Sequence, residues 1–153
     1  MEALIALAVV VMVMTALVTA LVSAISSTTY SNEQTTATAY AQEGLDFARA
    51  FKNRDFSAFN DLANTEHRLG ANPSTIPTSN ASIDGKFYRY LYVNKNGIDG
   101  RTSGGTKCVQ DNGPSIFVAS IVEWSDSKCS AGTRCREVVL SSCFANLNYI
   151  EGP

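Results

Sequence analysis

The sequence predicts an α+β protein in which a long N-terminal helix packs on a C-terminal antiparallel sheet of three or four strands. Two observations predict this class. Residues 1–25 form an apolar block broken only by Glu2, and helical periodicity continues to about Asn53. From residue 87 onward, runs rich in aromatic and β-branched residues alternate with turn formers. We therefore expect an apolar helix over 1–25, its amphipathic continuation over 26–53, a loop over 54–86 and the sheet with a disulfide-bonded region over 87–153.

The apolar block contains no charged residue, glycine or proline between Ala3 and Ile25. As a helix this stretch would be about 35 Å long, which is enough to cross the core of a bilayer. Its side chains are apolar nearly all the way round, so neither a strand nor a one-sided amphipathic helix fits. Lipid or other helices must surround it.

A signal peptide or ordinary signal anchor is the alternative explanation of this block. A signal peptide has a basic start and an apolar core of about 7 to 15 residues, closely followed by its cleavage site. Here no Lys or Arg precedes Arg49, and the small residues Ala37 and Ala39 lie a dozen residues beyond the block. Because the positive-inside rule needs basic residues beside the span, we expect that the orienting charges were on a leader already removed.

Glu2 is the exception within the block. An intramembrane carboxylate costs a few kcal/mol and usually has a functional partner. The α-amino group of Met1 in a neighbouring chain is the candidate partner, and such a charge-assisted contact contributes about 1.5 to 3 kcal/mol. The alternative is that Glu2 lies among lipid headgroups.

The beginning of the chain resembles mature type IV pilins and type II secretion pseudopilins, whose prepilin leader has been cut. The matching run is Met1-Glu2-Ala3-Leu4-Ile5-Ala6-Leu7-Ala8-Val9-Val10-Val11, and Tyr40-Ala41-Gln42-Glu43-Gly44-Leu45-Asp46-Phe47-Ala48-Arg49 is also similar to the pilin helix. The resemblance implies the pilin fold and an assembly role for Glu2, which would neutralise the amine of an adjacent subunit. Family members usually carry this glutamate at the fifth mature position, so either about three residues are missing or the contact is rearranged. Without the Gly and Pro of many relatives, we expect a more continuous helix.

The function that the resemblance implies is that of a structural subunit. The chain would sit in cytoplasmic-membrane lipid, would be processed by a prepilin peptidase, and would be polymerised by the pilus assembly machinery. The product would be a helical homo-oligomer, an extracellular type IV pilus filament on the cell surface. The alternatives are a minor pilin or tip adhesin, and a pseudopilin of a type II secretion or DNA-uptake system.

The middle of the chain predicts a helix that runs on and then a loop. Apolar residues from Ala37 recur at three- and four-residue spacings, so a helix from Met1 to about Asn53 would be roughly 80 Å long. Turn formers around Asn72-Pro73 indicate a loop, with a short helix compatible with the spacing of Phe56 and Phe59. Asn80 begins an Asn-Ala-Ser sequon and is a candidate glycosylation site, although such short matches arise by chance.

The predicted strands cover residues 87–93, 116–124 and 136–144. Four cysteines, Cys108, Cys129, Cys135 and Cys143, lie near them. In an exported protein these predict disulfides, with three possible connectivities. Cys129 and Cys135 bracket the tip of a hairpin, which pairs them and leaves Cys108 with Cys143. Zinc is the rival explanation, but the spacing contains no CxxC or paired histidine.

Catalytic and binding motifs are absent from the sequence, so we expect no enzyme, no cofactor and no metal. His67, the single histidine, is expected to face solvent. The turn over 94–100 lacks the ligand spacing of a calcium loop. A net charge of -2 predicts no specific nucleic-acid partner. Basic residues could form a local patch, but a solvated face is the ordinary explanation; they are Lys86, Arg89, Lys95, Arg101 and Lys107.

Overall fold

A computed structural model describes residues 2–62, 64–70, 82–99, 108, 115–126, 128–130 and 132–145. Helix α1 runs unbroken from Glu2 to Arg54 over 53 residues. The expected continuous helix is therefore present, and it ends one residue beyond the predicted end. The chain divides into two compact units, Met1–Thr35 and Thr36–Pro153.

A short helix, α2, follows α1 from Phe56 to Asn60. Its N-cap is Asp55, whose carboxylate accepts a hydrogen bond from the backbone N–H of Ala58 at 2.8 Å. Phe59 is fully buried and its ring lies near those of Phe51 and Phe144. The cap starts the helix, and Phe59 holds it against the core.

The sheet has four antiparallel strands in the order β1-β2-β3-β4: β1 Glu66–Leu69, β2 Tyr88–Asn94, β3 Ser115–Trp124 and β4 Arg136–Ala145. The last three match the predicted strands to within one residue at each end. Together with α1 they confirm the predicted α+β class and the expected number of strands.

The predicted loop over 54–86 is wrong where β1 forms. This strand has only four residues, Glu66–Leu69, and its pairing with β2 places His67 opposite Leu91 and Leu69 opposite Arg89. His67 and Leu69 point inward and are buried, so the solvent-facing position expected for His67 is also wrong. Four residues are too few for alternation to be recognised in the sequence. The neighbouring strand β2, rather than local pattern, decides that β1 is extended.

The core of the second unit lies between the sheet and residues 36–54 of α1. The helix contributes a face of small side chains with one larger residue, Leu45. Alternate residues of β3 meet it, and the buried members of this layer are Ala37, Ala41, Leu45, Ala48, Leu91, Val93, Ile116, Val118, Val122, Trp124 and Phe144. The other face of β3, with Phe117, Ala119 and Ile121, is buried as well. Side chains of the flanking strands help to cover it, since the ring of Tyr92 in β2 packs edge-on against that of Phe117 with centroids 6.4 Å apart.

Candidate functional site

The apolar surface of α1, defined as residues 3–25, is the first candidate site. Every side chain in it is exposed, including those of Leu4 (72%) and Met12 (74%). The hydroxyls of Thr15 and Thr19 donate to backbone carbonyls one turn earlier, at 2.9 to 3.2 Å. The two threonines therefore present methyl groups outward and add little polarity to the surface.

This surface has the properties of a segment that is covered by something other than water. Among the described residues, α1 is long and apolar enough to cross a membrane. A contiguous apolar surface of this extent marks contact with lipid or protein. A helix whose backbone and threonine hydroxyls are satisfied internally can enter either environment without leaving polar groups unpaired.

The two predicted assembly residues, Met1 and Glu2, directly precede this surface in the sequence. Glu2 is the first residue of α1, and Met1 lies outside the described residues. Their proposed contact would join two chains, so the assembly role stays a prediction.

The four cysteines lie in the two pairs that the sequence predicts. Cys108 bonds to Cys143 of β4 with their Cα atoms 5.6 Å apart, and Cys129 bonds to Cys135 with a Cα separation of 5.5 Å. A carboxylate oxygen of Asp126 and the sulfurs of Cys129 and Cys135 also lie within 4.8 Å of one another. A metal would need thiolates. Because both sulfurs are used in the disulfide, this cluster is a covalent closure of the β3–β4 connection.

The Cys129–Cys135 loop is anchored to the sheet by charged contacts. Asp126 accepts hydrogen bonds from Arg136 Nε and from the backbone N–H of Lys128, both at 2.7 Å. These contacts, first of all the one with Arg136, lower the pKa of Asp126. The guanidinium of Arg134 lies 4.3 Å from the ring of Tyr88, and Arg134 Nη1 lies 3.4 Å from a carboxylate oxygen of Glu123. The tip of the hairpin therefore folds back on the face of the sheet that is turned away from α1.

A cavity of about 350 Å³ lies between the end of α1 and the end of β4. Arg49, Lys52 and Asn53 line it together with residues 142–145. Lys52 donates a hydrogen bond to the carbonyl of Ala145 at 3.3 Å, and cations in the last turns also compensate the negative end of the helix dipole. Contacts within the chain therefore account for the basic side chains that line the cavity, and we assign no ligand to it.

Tyr40 joins α1 to the turn before β2. Its hydroxyl donates a hydrogen bond to the carboxylate of Asp84, and its ring packs edge-on against Phe87 with ring centroids 5.4 Å apart. The hydrogen bond to Asp84 stabilises the neutral phenol and is the main cause of a raised pKa for Tyr40. The resemblance to the pilin helix includes Tyr40 but does not reveal this contact.

Arg89, like His67, is buried where the sequence predicts a solvent-facing position. It was expected on a solvated basic face, yet its side chain is fully buried beneath α1. Its guanidinium donates to Glu43 Oε2 at 2.8 Å, to the carbonyl of Tyr40 at 3.1 Å and to the carbonyl of Gly70 at 2.7 Å. The signal was its alternation with Leu91 and Val93, which puts Arg89 on the inner face of β2.

The remaining predicted features fall partly outside the structure. Asn80, the candidate glycosylation site, and the basic residues Arg101 and Lys107 lie outside the described residues. No known protein family, curated protein or solved structure matches this chain.

Proposed function

We propose that this chain is a structural subunit of a type IV pilus or a closely related filament. The observation that carries the proposal is a single unbroken helix, Glu2–Arg54, that has two different surfaces along its length. Residues 3–25 are exposed and apolar, whereas from Ala37 onward the helix buries one face against a disulfide-bonded sheet. The first surface suits burial among other helices, and the second fixes a folded domain to the same helix.

Assembly would transfer residues 3–25 from membrane lipid into a bundle of identical helices. Because lipid tails are as apolar as these side chains, escape from water cannot drive the transfer. Packing between helices and the Glu2 contact with a neighbouring amine must then supply the specificity. The hydroxyls of Thr15 and Thr19 are bonded within their own helix, and Glu2 carries the one ionisable side chain among residues 1–25.

Two disulfides support an extracellular location of the domain. Each could contribute about 2 to 4 kcal/mol in an oxidising compartment. A domain of about a hundred residues outside the membrane has a small core, so covalent closure would help it to persist on a cell surface.

The main test is electron microscopy of filaments sheared from the source cells, with mass spectrometry of their principal band. We expect this chain to be the dominant species. A filament dominated by another protein with only traces of this one would point to a minor or tip subunit. Absence from any surface fibre would favour a secretion or DNA-uptake pseudopilin over the proposal.

A second test addresses Glu2 directly. We expect Glu2→Ala subunits to remain in the membrane and to enter filaments at least tenfold less often than wild type, because a charge-assisted contact is worth about 1.5 to 3 kcal/mol. Thr15→Val, which changes a residue of the same segment whose hydroxyl is bonded within its own helix, is the matched control and should assemble normally. Efficient entry of the Glu2→Ala subunit would exclude the assembly role.

A further inference from the structure

The helix face that packs on the sheet consists mainly of small side chains. Apart from Leu45, its buried residues are Ala37, Ala41, Gly44 and Ala48. Small side chains make shallow ridges, so a displacement of α1 by one turn, about 5.4 Å, would bury a similar area. The contacts of these small residues alone therefore specify only weakly where along its length α1 meets the sheet.

Gly44, the single glycine of α1, lies directly against β3. A Cβ atom added at Gly44 would be 2.2 Å from the hydroxyl oxygen of Ser120 and 3.1 Å from Cδ of Arg89. Making room would require the Ser120 side chain to rotate or the helix and strand to move apart, and Cβ of Ser120, 3.2 Å from the added atom, leaves little space even after rotation. The position over Ser120 therefore favours a residue without a side chain.

Displacing α1 by three or four residues in either direction would bring a larger residue over Ser120. The residues that would replace Gly44 are Tyr40, Ala41, Phe47 and Ala48. Each has a Cβ, so each displaced arrangement meets the same steric conflict. Gly44 thus disfavours positions of α1 that are displaced by one turn along the sheet.

Arg89 selects the same arrangement by attraction. Its buried guanidinium binds Glu43 and the carbonyl of Tyr40, which belong to the turn that contains Gly44. After a displacement of three or four residues, the position of Glu43 beside the guanidinium would be taken by Ala39, Tyr40, Asp46 or Phe47. Only Asp46 carries a carboxylate, and that displacement would put Phe47 over Ser120. A buried guanidinium without its carboxylate is costly.

We infer that Gly44, Ser120, Arg89 and Glu43 form a register contact, which fixes the axial position of α1 on the sheet. The contact makes Ala37 the first residue of α1 that is buried in the core, and so it sets how much of the helix is left for other partners. Because it lies wholly within the second unit, it operates whether or not the chain polymerises. The side chain of Glu43 is half exposed, so it pairs with the buried guanidinium of Arg89 from the edge of the interface between α1 and the sheet.

The steric half of the register contact is tested with Gly44→Ala in the full chain, held in a nonionic detergent and unfolded with guanidinium while Trp124 fluorescence is followed. In an unobstructed helix, replacing glycine by alanine would raise the folding equilibrium constant several-fold. We expect the opposite sign, a folding equilibrium constant at least tenfold lower, or failure to fold. Wild-type or higher stability of this variant would overturn the inference.

A second substitution keeps the test decisive even if Gly44→Ala does not fold. Ser120→Ala alone should be neutral or mildly stabilising, because the buried Ser120 hydroxyl has no hydrogen-bond partner among the described residues. Added to Gly44→Ala, it removes the nearest obstructing atom and should restore most of the lost stability. Absence of rescue would mean that the close approach is not the cause. Gln42→Ala, an exposed change in the same turn, is the control and should be nearly neutral.

The attractive half is tested by register rather than by stability, since replacing a buried ion by an apolar residue can leave stability unchanged. The rings of Tyr40 on α1 and Phe87 beside β2 have their centroids 5.4 Å apart, so the nuclear Overhauser effect between protons of these two rings reports the native position. We expect Arg89→Met to weaken it and to double the alanine methyl resonances of residues 37, 41 and 48. A single, wild-type set of resonances would show that Arg89 does not select the register.

Discussion

Removal of the two disulfides should destabilise the protein unequally, with Cys108–Cys143 costing more. The bonded residues are 35 positions apart in this pair and six apart in Cys129–Cys135. A cross-link stabilises mainly by restricting the unfolded chain, and the effect grows with the logarithm of loop length. These separations correspond to about 4 kcal/mol for the long loop and about 2 kcal/mol for the short one.

The comparison needs two double variants, Cys108→Ser/Cys143→Ser and Cys129→Ser/Cys135→Ser. Their free energies of unfolding would be measured in guanidinium by Trp124 fluorescence, with wild type under the same oxidising conditions. Each pair is the other's control, since both variants replace two sulfurs by two oxygens. Equal losses, or a larger loss from the short loop, would refute the argument from unfolded-chain entropy and would point to contacts of the Cys129–Cys135 loop in the folded state.

Three further predictions concern single side chains. Phe59→Ala should lower the free energy of unfolding by about 3 to 5 kcal/mol, because the ring is fully buried, and a loss below about 1 kcal/mol in denaturant unfolding would contradict that placement. The raised pKa of Tyr40 means that its phenol stabilises the folded state below the pH at which an unfolded tyrosine ionises, about 10, and that this stabilisation is lost as pH rises through the folded pKa. The phenolate absorbance step at high pH should therefore disappear in Tyr40→Phe. An unchanged titration would assign that step to another tyrosine. The lowered pKa of Asp126 means that its carboxylate stabilises the folded state above about pH 4 and that this stabilisation is lost as pH falls through the folded pKa. In Asp126→Asn the free energy of unfolding should therefore fall less steeply with decreasing pH. A dependence on pH as steep as that of wild type would contradict the ion pair with Arg136.

Much of the fold could be predicted because it depends on local pattern. The long apolar run of α1 and the alternation in β2, β3 and β4 are visible over seven or more residues each, which is enough to distinguish a period of 3.6 from a period of 2. The hairpin between β3 and β4 brings Cys129 and Cys135 together, so the sequence also predicts their pairing. Strand β1 is too short for such a signal, and it becomes extended only because β2 offers an unpaired edge.

The candidate site divides in the same way. The apolar surface and Glu2 can be recognised without a structure, since a long apolar run interrupted by one carboxylate is visible in the sequence itself. Arg89 and His67 could not be placed from their own residue types, because charged and polar side chains are usually exposed. Their burial depends on which face of a strand they occupy and on what covers that face.

By itself, then, the sequence determines that one helix carries an apolar half and an amphipathic half, because both properties are periodic along the chain. It also determines that the end of the chain forms a cross-linked antiparallel sheet. Only the tertiary structure decides how the two meet. The close approach of Gly44 to Ser120 and the burial of Arg89 against Glu43 join residues about 45 to 75 positions apart. No local pattern encodes such contacts, because they exist only when the helix lies on the sheet.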